Sequence, residues 1–148
     1  MTTTVAQTTQ VYQVFIKASA EEICDAITKP EFTQQYFYGA RISVVPDRYR
    51  SLGPDGAVWG ESGVEEFDPP RRLVHGWRSM YDPELAAEEE SRVTWEIEPQ
   101  DKGVCLLTVV HDRLEAAPKT AASVSGRGWT MVLSGLKILL ETGEPLEG

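Results

Sequence analysis

The chain has 148 residues and a net charge of −9, with 41% hydrophobic and 25% charged residues. This length fits one domain, and this composition is typical of a globular protein rather than a disordered one. The acidic excess argues against nucleic-acid binding, which depends on Lys and Arg neutralising phosphates, and it equally disfavours an anionic membrane surface.

Residues 1–9 have neither the basic start nor the apolar run of a signal peptide. We interpret them as a flexible tail. Residues 10–148 are then expected to form a single domain. No stretch approaches the roughly 18 consecutive apolar residues of a membrane helix, so no membrane insertion is expected. Cys24 and Cys105 are expected to be reduced and buried, as is usual in the cytoplasm, where we expect the protein to be.

The N-terminal region predicts one strand followed by two short helices. Tyr12–Ala18 alternates between apolar and polar residues as a strand does, apart from Phe15. The sequence from Ser19 to Glu22 has the form of a capping box, which predicts the start of a helix. That helix should end at Pro30, because a proline pushes the preceding residue out of the helical region. The second helix is expected over residues 30–36.

Residues 40–112 predict strands separated by turns. Glycine and Pro-Asp at 51–56 and the proline pair at 69–70 indicate two of these turns. Gly60 and Gly63 predict a bend or bulge within one strand. The expected strands are Arg41–Asp47, Ala57–Phe67, Leu73–Ser79, Arg92–Glu98 and Val104–His111. The last is almost continuously apolar, which is typical of a strand buried on both faces.

An acidic segment interrupts the strands, and a long helix ends the chain. Five acids lie between Asp82 and Glu90, which predicts a mobile connection that could act as a gate. Apolar residues from Trp129 to Leu140 recur at helical spacing, and Gly143 followed by a proline is a stop signal. The element order predicts an α+β fold in which a curved antiparallel sheet of about six strands wraps on this helix.

Four phrases, in this order, resemble the START-like (SRPBCC) superfamily and, within it, the homologues of the heat-shock-protein-90 ATPase activator. They are IKASAEEI (16–23), VEEFDPPRRLV (64–74), VTWEIEP (93–99) and GWTMVLSGLK (128–137). The resemblance implies a helix-grip fold with an elongated cavity between sheet and helix. It implies no single activity, because the superfamily includes lipid carriers, hormone receptors, cyclases and co-chaperone domains.

Aromatic and leucine side chains are the candidate lining of such a cavity. Indole and phenol groups give an apolar wall a few polar contacts, which suits a small ligand. The same residues could equally be ordinary core packing. The candidates are Tyr36, Phe37, Trp59, Trp77, Trp95, Trp129, Leu133 and Leu136.

The two histidines are weak candidates for catalysis. His75 or His111 could act as an acid or base inside a cavity, but each could instead lie at a strand surface or be a satisfied hydrogen-bond partner. His111 and Asp112 are consecutive on a strand and therefore point to opposite faces. Two histidines and two cysteines far apart in the chain show no zinc-binding spacing, so no metal or cofactor is expected.

Three functions remain open from the sequence. The first is noncatalytic binding of a small hydrophobic or amphipathic molecule, which many aromatics and no catalytic constellation favour. The second is a co-chaperone-like module that binds a protein partner through the outer face of the sheet. The third is a cyclase or dehydratase that uses one acid or base such as His75. The sequence predicts no particular oligomeric state.

Overall fold

The computed structural model of the protein describes residues 8–125 and 127–146; residues 1–7 of the expected tail lie outside this part. Eight strands and five helices occur within the described residues. In chain order they are β1 (Gln10–Ile16), α1 (Ala20–Thr28), α2 (Pro30–Thr33), β2 (Arg41–Val45), β3 (Arg48–Leu52), β4 (Val58–Ser62), β5 (Val64–Asp68), β6 (Arg72–Trp77), α3 (Pro83–Ala86), β7 (Ser91–Pro99), β8 (Cys105–Asp112), α4 (Pro118–Val124) and α5 (Arg127–Thr142).

Two antiparallel sheets carry the fold. The larger has the strand order β1-β8-β7-β6-β5, and the smaller has the order β2-β3-β4. One face of α5 shares a buried cluster with the inner side chains of β1, β7 and β8 and with α1. A sheet with one apolar face must bury it against another element, and α5 is the long helix that does so. The predicted α+β helix-grip architecture is confirmed.

The strand expected over residues 57–67 is two strands in different sheets. β4 pairs with β3, whereas β5 pairs with β6, and the chain crosses between the sheets at Gly63. The bend is therefore sharper than the bulge that the glycines indicated. β3 is a strand that the sequence did not predict. Tyr49 and Ser51 point inward and Arg48 and Arg50 outward, but the turn residues that follow conceal this alternation.

β8 is buried more completely on its inner face than on its outer face. Leu107, Val109 and His111 on the inner face are buried, whereas on the outer face Thr108 is buried and Leu106 and Val110 are only partly buried. The burial expected on both faces of β8 therefore holds only in part. Its outer face is only partly covered, and the neighbouring strand β1 also directs exposed apolar side chains to that side.

The capping box at the start of α1 is confirmed. Ser19 Oγ accepts a hydrogen bond from the Glu22 amide at 3.1 Å, and Glu22 Oε1 accepts one from the Ser19 amide at 3.0 Å. α2 is shorter than expected and ends at Thr33. The Thr33 hydroxyl donates to the Ala40 carbonyl and accepts from the Ile42 amide, which fixes α2 against β2.

The acidic connection is anchored rather than free. It contains α3, whose Asp82 side chain accepts from the Glu84 amide at 2.8 Å and whose Leu85 is buried. Glu88 accepts from the backbone amides of Lys119 and Thr120, both at 2.8 Å. These amides belong to the first turn of α4, where a carboxylate satisfies free N–H groups and complements the helix dipole. The connection therefore fixes the start of α4, although the two segments are far apart in the sequence.

The C-terminal helix ends where the sequence predicts. Gly143 has a φ of +81°, and its amide donates to the Leu139 carbonyl at 2.8 Å. A glycine in the left-handed region just after the last helical residue is a common C-terminal cap, because it lacks the Cβ that would clash there. The long helix is thereby fixed in length and direction across the sheet.

Candidate ligand-binding site

A cavity of about 520 Å³ lies between the first half of α5, the end of α4 and the strands β3, β4 and β6. Aromatic side chains dominate its wall, whereas aliphatic side chains contribute little. The aromatic lining residues are Phe37, Tyr38, Tyr49, Trp59, Trp77, Tyr81 and Trp129. The space is of the size that small-molecule sites usually have.

Three rings form a continuous inner wall. The ring centroids of Trp77 and Trp129 are 5.6 Å apart, and Phe37 lies 6.2 Å from Trp77 and 6.1 Å from Trp129. Phe37 meets Trp129 edge to face, at an interplanar angle of 81°. The three separations lie in the range that aromatic pairs prefer, and the edge-to-face contact of Phe37 with Trp129 also has a preferred angle, so the rings restrict one another's orientation.

The mouth of the cavity is also aromatic but more exposed. The rings of Trp59 and Tyr81 are 6.0 Å apart, and both Tyr81 and Tyr38 are more than half exposed. The Trp59 indole lies directly on Gly53, where a Cβ atom would come within 2.4 Å of the ring. Gly53 is therefore required by the position of the indole. The mouth can change shape more easily than the inner wall, because its tyrosines make fewer buried contacts.

The polar groups of the wall are mainly hydroxyls. Ser51, Ser79 and Tyr49 are buried, and burial raises the pKa of Tyr49, so its phenol stays neutral. Arg78 is the charged residue among the described lining residues, and its Nη1 atom donates to the carbonyls of Ala86 and Glu88, both at 2.9 Å. These bonds direct the guanidinium towards the segment after α3.

His75 lies behind this wall, in the core. Its Nδ1 atom is 2.7 Å from the Gly76 carbonyl and must carry the proton, because a carbonyl only accepts. Its Nε2 atom accepts from the Trp95 indole at 3.0 Å, and the Tyr49 ring stacks on the imidazole at 4.2 Å. Burial lowers the pKa of His75 to about 4, so the ring is neutral near pH 7.

His111 has the same relation to a second indole. Its Nδ1 atom accepts from Trp129 Nε1 at 3.1 Å, so Nε2 carries the proton and donates to the Ser91 hydroxyl at 2.7 Å. Burial, together with nearby His75, lowers the pKa of His111 to about 3. Both nitrogens of both histidines are thus occupied, and neither histidine lines the cavity. The structure places them as acceptors that fix two tryptophans.

The structure divides the predicted lining residues into two groups. Phe37, Trp59, Trp77 and Trp129 line the cavity together. The others do not line it and lie in the buried core: Tyr36, Trp95, Leu133 and Leu136. The two leucines are on the part of α5 that faces the larger sheet and α1, one helical step away from the cavity.

Tyr36 has a specific reason to lie in the core. Its hydroxyl donates to the Ala26 carbonyl at 2.6 Å. The residue four positions after Ala26 is Pro30, which has no N–H to complete the helical hydrogen bond. The phenol therefore satisfies a carbonyl at the end of α1.

Several lining residues were missed in the sequence. Tyr49 stands between two arginines on an unpredicted strand, and Ser79 follows the end of β6. Val132 was placed only as part of the apolar stripe of α5, although it lines the cavity. Ser123 and Ser125 come from the end of α4, which was not predicted. The alternation in β3 was the signal that could have identified Tyr49.

Trp77 adds an unusual polar atom to the inner wall. Its Nε1 atom is buried and has no hydrogen-bond partner among the described residues. Leaving such a donor unpaired costs about 1–3 kcal/mol. The fold therefore tolerates an unpaired indole N–H beside the cavity, while it satisfies those of Trp95 and Trp129.

Three further findings concern the described residues as a whole. No group of three or more His, Cys, Asp or Glu residues among them is placed to hold a metal ion. None of the described helices combines the length and apolarity needed to cross a membrane. Cys24 and Cys105 are free and buried, as the sequence predicts.

Solved structures with this fold include an Aha1 dimer and a protein described as an HSP90 activator. The solution structure of the Aha1 dimer from Colwellia psychrerythraea has a TM-score of 0.70 at 17% identity and covers 93% of this chain and 98% of that chain. An HSP90 activator from Plasmodium falciparum has a TM-score of 0.71 at 17% identity, covering 94% and 99%. At such identities the similarity shows the fold alone.

A third solved structure of this fold comes from a biosynthetic locus. DynU16, a protein in the dynemicin biosynthetic locus, has a TM-score of 0.74 at 23% identity. The match covers 94% of this chain but 49% of that one, so this chain spans about half of its length. No curated protein matches the sequence.

The family model described as activator of Hsp90 ATPase homolog 1-like protein matches residues 17–141. This match includes α1, the strands from β2 to β8 and nearly all of α5. The resemblance carried by the four sequence phrases is thereby confirmed, and the chain belongs to the family of activator of Hsp90 ATPase homolog 1-like proteins.

Proposed function

We propose that the protein binds a small apolar or amphipathic molecule in the cavity beside α5. The observation that supports this most directly is a space of about 520 Å³ lined mainly by ordered aromatic rings. Burying apolar ligand surface there would be favourable by roughly 25 cal/mol per Å². The inner rings already restrict one another, and Trp129 is also fixed by its hydrogen bond to His111, so binding would require little ordering at the inner end.

The chemistry of the wall favours binding rather than catalysis. No Asp, Glu or His is among the described lining residues. The two histidines are neutral near pH 7, with all four ring nitrogens engaged in hydrogen bonds. A general acid or base must reach the proton it transfers, and neither histidine lies at the cavity surface.

A blocking substitution at the mouth tests this proposal. Ser123 is exposed on α4 and lines the cavity, whereas the adjacent Ala122 is exposed but does not line it. In Ser123→Trp the added ring should obstruct the cavity and reduce both the mass-spectrometric retention of copurified small molecules and thermal stabilisation by a panel of lipids and aromatics. Ala122→Trp should behave as the wild type. Equal binding in the two variants would contradict the proposal.

A second candidate is a protein-binding module, supported by the outer face of the larger sheet. Val11 and Phe15 on β1 are both more than half exposed, and one solved structure of the same fold is described as an HSP90 activator. Exposed apolar side chains on one sheet face favour a protein contact. If this holds, the protein should raise the ATPase rate of Hsp90, and Phe15→Ser should abolish the effect. Tyr81→Ser, on another surface, should not.

We also propose a cytoplasmic location. Both cysteines are free thiols in the core, which agrees with a reducing compartment. Fractionation of the source cells with an antibody to the protein would test this, and recovery outside the cytoplasm would contradict it.

A further inference from the structure

The cavity wall has an unusual composition for a site that would hold an acyl chain. Seven of its side chains are aromatic, and among the described lining residues Ala40, Val124 and Val132 are the aliphatic ones. No Leu, Ile or Met is among them, although α5 and the strands supply many such residues to the adjacent core. The fold therefore concentrates rings at the cavity and aliphatic side chains in the core.

We propose that this cavity selects flat, fused-ring aromatic molecules with neutral oxygen substituents over acyl chains of the same size. The inference rests on the proposed ligand-binding function and specifies the class of ligand. Aromatic rings gain from offset-stacked or edge-to-face contacts with one another beyond simple burial of area. A flexible chain makes no such contacts and also loses rotational freedom when it is bound.

The arrangement of the rings supports a flat ligand. Phe37, Trp77 and Trp129 line the inner end at mutual distances of 5.6–6.2 Å, with interplanar angles of 34°, 49° and 81° between them. Trp59 and Tyr81 form a second pair at the mouth, 6.0 Å apart. A rigid planar molecule between these two groups can contact rings at both ends at once. The volume of about 520 Å³ has room for roughly three or four fused rings.

The polar groups of the wall indicate neutral substituents. The buried hydroxyls of Tyr49 and Ser51 are hydrogen-bonded to each other, and this pair and the Ser79 hydroxyl can each still donate to a carbonyl or accept from a phenol. Arg78 is the cation among the described lining residues, and its Nη1 atom donates to the Ala86 and Glu88 carbonyls, so the three hydroxyls make up most of the remaining buried polar wall. Hydroxyl and quinone groups suit these hydroxyls, because a hydroxyl can both donate and accept.

Two probe compounds test the preference. 1,8-Dihydroxyanthraquinone has three fused rings with hydroxyl and carbonyl groups, and monolaurin is a neutral acyl compound with nearly the same number of non-hydrogen atoms. Titration calorimetry of the full chain with each compound, below the aggregation concentration of monolaurin, should give a dissociation constant about tenfold lower for the anthraquinone. Equal affinity, or tighter binding of monolaurin, would overturn the inference while leaving the proposed binding function intact.

Variants that remove one ring show whether the rings cause the preference. Tyr81→Leu and Trp59→Leu keep an apolar side chain, and each should weaken anthraquinone binding about fivefold or more while changing monolaurin binding by less than about twofold. Tyr81→Phe keeps the ring and should bind nearly as the wild type does. Phe15→Leu removes an equally exposed ring on the outer face of β1 and should change neither affinity.

The outcomes separate the two proposals. If neither compound binds the wild type, the proposed function and this inference both fail. If the anthraquinone binds preferentially but Tyr81→Leu retains the full preference, the wall rings are not its cause and the inference fails. Tyr81 is exposed, so its variants should fold even if Trp59→Leu does not, and thermal melting of each variant verifies this.

Discussion

The two sides of α5 differ in what their aromatic residues do. Towards the larger sheet, the core is filled and Trp95 is fixed by the hydrogen bond from its indole to His75. Towards the smaller sheet, Trp59 lies at the mouth of a cavity and rests on Gly53. Trp129 is at the boundary, because its indole is bonded to His111 while its ring lines the cavity. One helix therefore serves a filled core on one side and a space for a ligand on the other.

This difference predicts that stability and binding can be separated by substitution. Residues of the filled side should affect the free energy of unfolding, because any atom removed there leaves a void that the surroundings cannot fill. Residues at the mouth should affect binding with little change in stability, because they already border solvent.

The largest effect is expected from Leu136→Ala. Leu136 is fully buried in the filled cluster, so truncation removes three carbon atoms together with their packing contacts and opens a cavity. The free energy of unfolding should fall by about 2–5 kcal/mol, measured by urea denaturation. A loss below about 1 kcal/mol would show that this side is less tightly packed than its burial indicates.

Acid should destabilise the protein by a somewhat smaller amount for each of its two buried histidines. Burial lowers the pKa of His75 from 6.5 to about 4 and that of His111 from 6.5 to about 3. Below pH 6.5 the histidines of the unfolded chain become protonated, whereas those of the folded chain stay neutral. The stability that the neutral histidines contribute is therefore fully present above pH 6.5 and is lost as the pH falls towards 4. Between pH 7.5 and 5 each histidine should remove about 2 kcal/mol, so the two together should remove about 4 kcal/mol.

Denaturation series at pH 7.5 and pH 5 measure that loss, and NMR identifies its source. The chain has only two histidines, so their ring signals can be followed without ambiguity. Both should remain neutral down to pH 5 in the folded protein. A ring that titrates near pH 6.5 would show that its hydrogen bond to the indole is not maintained in solution.

The sequence allowed much of the filled side to be predicted. The capping box of α1, the inward side chains of β7 and the stop at Gly143 all follow local patterns that neighbouring residues enforce. The periodicity of α5 also identified its apolar face, but it could not divide that face between core and cavity. Leu133 and Val132 are consecutive, and only the position of the smaller sheet decides which of them borders empty space.

The lining of the cavity could not be predicted in the same way, because it depends on contacts between residues that are distant in sequence. β3 was concealed by the turn after it, and with it Tyr49 and Ser51. α4 begins at Pro118 with no side-chain cap of its own, and Glu88 supplies the missing acceptor from 30 residues earlier in the chain. No local pattern reveals a helix whose start is stabilised from another segment. Half of the eight candidate residues therefore line the cavity, but they are only four of its 17 described lining residues.

A moderate effect is expected from Gly53→Ala. The new Cβ would lie 2.4 Å from the Trp59 ring, so the indole must move away from its place at the mouth. Unfolding should become easier by about 1 kcal/mol, and tryptophan fluorescence should shift as the ring moves into solvent. Gly63→Ala is the matched control, because its Cβ position is open space. Equal fluorescence of both variants would contradict the contact between Trp59 and Gly53.

The smallest stability change is expected from Tyr81→Ala at the mouth of the cavity. Tyr36→Phe in the core is the variant with which it is compared. Tyr81 is 56% exposed at the mouth, so its removal should change the free energy of unfolding by less than about 0.5 kcal/mol while weakening ligand binding. Tyr36→Phe deletes only a hydroxyl but leaves the Ala26 carbonyl without its donor, which should reduce stability by about 1–2 kcal/mol and leave binding unchanged. Because the smaller deletion should have the larger effect on stability, urea denaturation and calorimetric titration of both variants test the division between the two sides of α5. If Tyr81→Ala proves the less stable variant, the mouth is part of the structural core and that division is wrong.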